Sequence, residues 1–321
     1  MQLNTTHKKF LSNNQNRRKV TLWDKIVHHR YLYIMALPMV AIFIIFKYLP
    51  IYGLLLAFKD FRYREGILKS PWVGLQNFKT LFGPEAFQNV VINTLTISFG
   101  RIVFTFFVPV IFALLLNEMR NMIFKRVVQT FIYLPHFLSW VIISGIIYSL
   151  LTINGGFVNK ILISFFGHEP VNFLLEPPYF RPIVYISYIW KEAGWGSIIY
   201  LAALASINPE MYEAATIDGA NRFQKMIYVT WPGIKNTVVV MLILTTSLVM
   251  FAGFDQIFNL YSPPVYEVGD IIDTYVYREY LLKGKFGLGT AAGLFQAVVN
   301  LVVVIIVNTA AKKINEGEGL F

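Results

Sequence analysis

The sequence predicts an all-α polytopic membrane protein with six crossing helices, on three observations. Apolar residues make up 56% of the 321 positions and charged residues 14%, where a soluble domain carries about 25% charge. The apolar residues are gathered into six runs of roughly 20 residues or more, the length that crosses a bilayer. Lysine and arginine are also divided unevenly among the segments between those runs.

The chain opens on a polar, basic arm, residues 1–30, which carries Lys8, Lys9, Arg17, Arg18, Lys19, Lys25 and Arg30. Its order is not that of a signal peptide, so the first run, 31–58, is expected to be an uncleaved anchor. Pro38 and Pro50 predict a kink or a tilt in that anchor. Further crossings are expected over 90–116, 131–151, 182–207, 237–259 and 288–310, followed by a tail, 311–321. With the arm inside, fifteen lysines and arginines fall on the cytoplasmic side and ten on the outer side. Positive charge marks the cytoplasmic face, which places both termini in the cytoplasm. Residues 31–310 then form a single transmembrane domain with no internal repeat and no separate soluble domain. The expected location is the cell membrane, crossed several times.

Two composition values exclude chemistry. The chain has no cysteine, which removes disulfides, thiolate catalysis and thiolate metal sites. The net charge of +10 has two readings, a topology signal or a nucleic-acid patch; its concentration beside the apolar runs supports the first, and no nucleic-acid partner is expected.

Between the fourth and fifth runs stands NPEMYEAATIDGANRFQKMIYVTWPG, residues 208–233, which is polar and well capped. Asn208 is a good helix cap, and Pro209 at the first helical position gives up only a donor that would be unpaired. Glu210 and Glu213 lie where the helix dipole favours negative charge. The helix is expected to run through Asp218 and end at Gly219, a residue suited to the left-handed conformation. A second helix, about 222–230, is expected to stop at Pro232. Ala214, Ala215 and Gly219 leave room for a close neighbour, while Met211, Tyr212 and Ile217 offer apolar anchors. About ten residues of helix are marginal alone in water, so a neighbour or partner must hold them. A loop helix on the membrane surface and a docking element both satisfy these residues.

The segment resembles the EAA motif of permease subunits in binding-protein-dependent ABC importers. Glu213, Ala214, Ala215, Gly219 and Pro232 fall in register with that motif, while Val229 and Trp231 replace its usual Ile and Leu. VGLQNFKTLF (73–82), NTL (93–95), DTYVYREY (273–280) and GLGTAAGLFQAVVNLVVVIIVN (287–308) extend the resemblance toward permeases for sugars and polysaccharide fragments. It looks closest to Gram-positive permeases for pectin-derived, rhamnogalacturonan-type oligosaccharides. The resemblance implies that the hairpin is a coupling helix docked on a cytoplasmic ATPase through Glu213, Ala214, Ala215, Asp218, Gly219 and Pro232. It also implies a second permease subunit, an ATPase dimer carrying ATP and Mg, and an extracytoplasmic solute-binding lipoprotein. This chain would form half of a pore that moves an oligosaccharide by alternating access, and would hold no cofactor or metal of its own.

Charges within apolar runs are costly and face a bundle interior or a wet path. Arg101, Lys191, Glu192 and Asp255 are such charges. Adjacent residues on a helix point about 100° apart, so Lys191 and Glu192 are not expected to pair simply, and Arg101 with Glu192 is the candidate pair. Trp190 and Trp195 flank them; they either pack neighbouring helices or line a path where flat rings meet sugar faces. Asp255, Gln256 and Asn259 are either gate residues or a polar helix end.

The sequence contains no G-x-x-x-x-G-K-[ST] phosphate loop, and its histidines, His7, His28, His29, His136 and His168, show no metal spacing. A membrane-embedded enzyme would need convergent acids, bases or ligands that are lacking. The alternative from another class is a stand-alone secondary sugar transporter, which should show inverted halves or paired broken helices.

Overall fold

A computed structural model describes residues 27–314; the rest of the basic arm and the end of the tail lie outside the described residues. The described residues divide at Leu55 and Leu56 into two compact units.

The first unit is carried by α1 (Arg30–Phe43), which runs through Pro38 and passes into a π turn, Ile44–Tyr48, and a 3₁₀ segment, Leu49–Phe58. Pro50 sits where the hydrogen-bond pattern changes from π to 3₁₀, the expected consequence of a missing N–H. None of the residues of α1 is buried, although the helix is almost wholly apolar.

The second unit holds α2 (Glu85–Glu118), α3 (Met122–Tyr133), α4 (Trp140–Leu151), α5 (Phe157–Phe166) and α6 (Pro177–Ala205). It continues with α7 (Pro209–Ile217), α8 (Arg222–Thr246), α9 (Phe254–Leu260) and α10 (Phe286–Ile314). The 29-residue α6 is the central element and packs along α2, α3 and α8. Glycine permits two of those approaches: a Cβ on Gly194 would collide with the Ile132 carbonyl, and one on Gly100 with the Tyr185 ring. At one end Ile97, Ile143, Phe180, Val184 and Ile257 share a core; at the other, Phe106, Val110, Tyr200, Leu204 and Ile234 share a second. A third core joins Phe87, Met250, Tyr275 and Ala291.

Several expectations need correcting. Among the described residues, four helices are long and apolar enough to cross a membrane, or five if the bent pair α3–α4 is one span. The fourth expected crossing, α6, has the length but carries Arg181, Lys191 and Glu192, which lower its apolar character. The third run is not one helix. α3 starts nine residues earlier than predicted, at Met122, and the chain bends by 104° between it and α4. The bend falls at Leu134–Phe137, where Pro135 forces a 3₁₀ turn, and Ser139 caps the restart by accepting from the Ile142 N–H.

The fifth run is broken as well. α8 ends at Thr246 and α9 begins only after Gly253, whose φ of 90° is a left-handed conformation. Pro232 does not stop the second hairpin helix, which continues unbroken as Arg222–Thr246. A π turn, Met226–Thr230, lies directly before Pro232 and absorbs its ring and its missing donor. The Thr230 hydroxyl also donates to the Lys225 carbonyl, at 3.3 Å.

Candidate functional sites

Two groups of residues stand out: the charges within the helices and the polar hairpin. The break between α3 and α4 frees carbonyl groups, and Lys191 reaches them from α6. Its Nζ donates to the His136 carbonyl at 2.6 Å and to the Leu138 carbonyl at 2.8 Å. Lys191 is buried, so these bonds replace the water that a bare ammonium would need. Glu192 stands beside it, with Oε1 3.6 Å from Nζ, so the two neighbours do pair. Their Cβ atoms diverge, but both side chains are long enough to curl back to the same break. The second oxygen, Oε2, accepts from His136 Nδ1 at 2.8 Å. His136 in turn stacks parallel on Trp195 at 4.5 Å between ring centroids. Lys191, Glu192, His136 and Trp195 are thus one cluster.

Arg101 does not pair with Glu192. Its Nη2 donates to the Ala252 carbonyl and to Gln256 Oε1, both at 2.7 Å, and its guanidinium lies over Tyr188, 4.3 Å from the ring centre. The second helix break explains this, because Ala252 and Gly253 present free backbone there. Gln256 Nε2 donates to the Val184 carbonyl (2.7 Å) and the Ser187 hydroxyl (2.8 Å), fixing α9 to α6. On the opposite side of the same break, Asn300 Oδ1 accepts from the Met250 N–H at 2.9 Å and Gln296 Nε2 donates to the Met250 carbonyl at 2.9 Å. Gln256, Gln296 and Asn300 are buried; the sequence offers Gln256 as a gate residue or a polar helix end and does not single out Gln296 or Asn300. Amides inside apolar runs were the available signal.

Two cavities open around these groups. One is lined by Thr105, Pro109, Tyr188, Glu192, Trp195 and Thr245 among others. The second is lined by Ser98, Arg101, Tyr188, Thr245, Leu248 and Phe251 among others. Tyr188 and Thr245 belong to both, so Arg101 and Glu192 border adjoining spaces. Trp190 lies apart, against an apolar cleft formed with Ile147, Leu151 and Ile183. Asp255 is also apart, exposed in the first turn of α9, where its carbonyl accepts from Asn259 at 2.7 Å. No group of three or more metal-ligating acids or histidines occurs among the described residues.

In the hairpin, the Asn208 side chain accepts from the Glu210 N–H at 3.1 Å and starts α7. α7 ends at Ile217, Asp218 is its C-cap, and Gly219 turns the chain with φ 78°. Asn221 and Gln224 then form a reciprocal capping box at the start of α8. The arms are joined by Tyr212 Oη to Thr230 Oγ1 (3.0 Å) and by Lys225 Nζ donating to Thr216 Oγ1 (2.6 Å). Glu213, Ala214, Asp218, Gly219 and Pro232 are exposed and Ala215 is half-buried. Ile217, 87% exposed, is the most exposed of the hairpin's large apolar side chains, followed by Tyr228 and Phe223.

Comparison with known proteins defines the family. A profile of the binding-protein-dependent transport system inner membrane component matches residues 105–316. The polygalacturonan/rhamnogalacturonan transport system permease protein YteP of Bacillus subtilis (strain 168) is 43% identical over 307 residues, 96% of this chain and 95% of that protein. Protein LplB of the same organism is 43% identical over 292 residues, 91% of each chain. Among solved structures, a chain of a bacterial ABC transporter involved in the import of the acidic polysaccharide alginate is 42% identical, with a TM-score of 0.85 over 92% of this chain and 99% of that one. A second structure of an alginate ABC transporter, in complex with alginate pentasaccharide-bound periplasmic protein, matches at 41% identity with the same TM-score. Helices rich in apolar surface, charges gathered at two helix breaks and a projecting polar hairpin are therefore features of a multi-pass permease subunit of an ABC importer, and the chain belongs to the binding-protein-dependent transport system inner membrane components.

Proposed function

We propose that this permease forms one half of a pore for an oligosaccharide released from a plant polysaccharide, and that the hairpin 208–233 is its point of attachment to a separate ATPase. The observation that carries the second part is the surface of the hairpin. Ile217, Phe223 and Tyr228 are exposed on a hairpin that also exposes Glu213 and Asp218. Several large apolar side chains exposed on one short hairpin fit a groove on another protein. The polygalacturonan/rhamnogalacturonan role of YteP and the alginate role of the solved transporter support a sugar polymer as cargo.

In this reading α6 completes six crossings, both termini are cytoplasmic, and 31–310 is the transmembrane domain between the arm, 1–30, and the tail, 311–321. A second permease subunit supplies the other half of the pore. An ATPase dimer binds ATP and Mg, and an extracytoplasmic binding lipoprotein delivers the sugar. Arg101, Glu192 and Trp195 border the translocation path, with Lys191 holding its wall; Trp190 and Asp255 are its outlying members. Closure of the ATPase dimer would pull on α7, and the continuous α8 would carry that motion from the hairpin into the membrane without a joint at Pro232.

The experiment is a cysteine crosslink in a chain with no native cysteine. Thr216 is a poor position because its hydroxyl accepts from Lys225, whereas Ile217 protrudes freely. Ile217→Cys, in membranes with the native partner subunits, should be captured by a short thiol crosslinker on a cytoplasmic ATPase, with a yield that changes on adding nucleotide. Labelling from the cytoplasm without ATPase capture would instead favour a stand-alone secondary transporter.

A further inference from the structure

We propose that Arg101 reads negative charge on the cargo, so that this permease selects a uronate-bearing oligosaccharide through a carboxylate-binding position in the cavity beside Tyr188. The inference rests on the oligosaccharide reading above and names the chemical class of its cargo.

The first support is the local balance of charge. Three charge-bearing side chains border the adjoining cavities and the first helix break: Arg101, Lys191 and Glu192. Glu192 directs one oxygen to Lys191 and the other to His136. Arg101 has no acidic group within ion-pair distance among the described residues; its contacts are a carbonyl, an amide oxygen and an aromatic face. The cluster therefore holds one positive charge more than its negative charge offsets. A cation in that position is expensive unless something of opposite charge visits it.

Geometry supplies the second support. Only Nη2 of the guanidinium is engaged, while Nε is buried without a partner. Arg101 lines the cavity with Ser98, Tyr188 and Thr245, and no acidic residue lines that space. The Ser98 hydroxyl is also buried without a hydrogen-bond partner. Ala252, Gln256 and Tyr188 hold the guanidinium plane in place, so Nη1, the nitrogen left for a ligand, is preorganised. Guanidinium is the side chain best matched to a carboxylate. Tyr188 and Thr245, shared with the cavity that contains Trp195, join this position to a space suited to a sugar ring.

The test compares uptake of a galacturonate trimer with uptake of the same trimer as its methyl ester, by the complete importer with its partner subunits. The two probes share length and linkage and differ in charge. The wild type should prefer the acid. Arg101→Gln should lower acid uptake by about 10- to 100-fold, the loss expected for a charge-assisted hydrogen bond, with ester uptake changed by less than about threefold. Arg101→Lys keeps the charge without the fork and should keep the acid-to-ester preference, even if total uptake falls. Membrane abundance of each variant normalises the rates. Equal losses for both probes in Arg101→Gln would reduce Arg101 to a clamp on the broken helix and overturn the inference. A wild type that takes the ester as well as the acid would also overturn it, while leaving the oligosaccharide reading intact. Transport of neither trimer, by a wild type that does import other oligosaccharides, would reject a uronate cargo. Failure to import any oligosaccharide would reject the underlying reading itself.

Discussion

Lys191 closes the break between α3 and α4, its ammonium donating to the carbonyls of both His136 and Leu138. The same side chain faces Glu192 at 3.6 Å, so removing it frees two carbonyls and leaves a carboxylate without its cation. Breaking a buried pair by removing one partner costs about 3–5 kcal/mol. Lys191→Met should therefore lower the thermal midpoint of the detergent-solubilised protein by several degrees. The double variant Lys191→Met with Glu192→Gln should recover part of that loss, because the residues are coupled. A Lys191→Met protein as stable as wild type would show that water, not Lys191, satisfies the break.

Gly194 and Gly293 make a matched pair for testing close helix contact. A Cβ at Gly194 would strike the Ile132 backbone carbonyl, whereas one at Gly293 meets nothing within 4 Å. Backbone cannot rotate away as a side-chain tip does. Gly194→Ala should separate α6 from α3 and cost about 1–3 kcal/mol, the usual range for overpacking. Gly293→Ala, in the middle of α10, should be neutral or stabilising by up to about 1 kcal/mol, since alanine is the better helix former. Thermal midpoints of the two variants should move in different directions; parallel movement would count against the collision.

These contrasts show what was legible in the sequence. Local chemistry was legible: Asn208 capping α7 and Gly219 turning the hairpin depend on residues a few positions apart. The breaks were not, because an apolar run reads alike whether its helix continues or stops. Pro135 does interrupt its run, while Pro232 is absorbed by the π turn before it. Both are prolines in apolar surroundings, and the difference lies in which freed carbonyl finds a partner. The Arg101 contact was hidden for a related reason: Gln256 lies 155 positions away and reaches it only because α9 restarts after Gly253. The expected Arg101–Glu192 pair failed because His136, brought in by the first break, reaches Glu192 instead.

Asp273 gives a pH test outside the spanning helices. It lies between α9 and α10, where burial pushes its carboxyl above the usual range, opposed by a hydrogen bond from Gln296 Nε2 at 3.1 Å. A carboxyl with a raised folded-state pKa holds its proton where the unfolded chain has lost it. The penalty is absent below the unfolded value of about 3.9, grows as pH rises through the folded value, and is full at neutral pH. Asp273→Asn keeps an oxygen to accept from Gln296 and removes the charge. It should raise the thermal midpoint at pH 7.5, by an amount that shrinks as the pH is lowered to about 4.5. An advantage that grows on acidification would refute the burial argument.

Gly219 tests whether the hairpin transmits force rather than merely folding. Its φ of 78° is a conformation that alanine adopts with strain of about 1–2 kcal/mol, yet a Cβ there meets no atom within 4 Å. Gly219→Ala therefore strains one turn without disturbing packing, and Gly219→Asn strains it less, because asparagine tolerates the left-handed region. Membrane abundance of both variants should match wild type. If α7 is the handle on which the ATPase pulls, a misdirected turn between α7 and α8 weakens the transfer. ATP-driven sugar uptake should then fall several-fold in Gly219→Ala and be largely restored in Gly219→Asn, and the Ile217→Cys crosslink to the ATPase should weaken in the same order. Uptake unchanged in Gly219→Ala, with its crosslink intact, would mean that the angle of this turn is irrelevant to coupling and that force enters the membrane elsewhere.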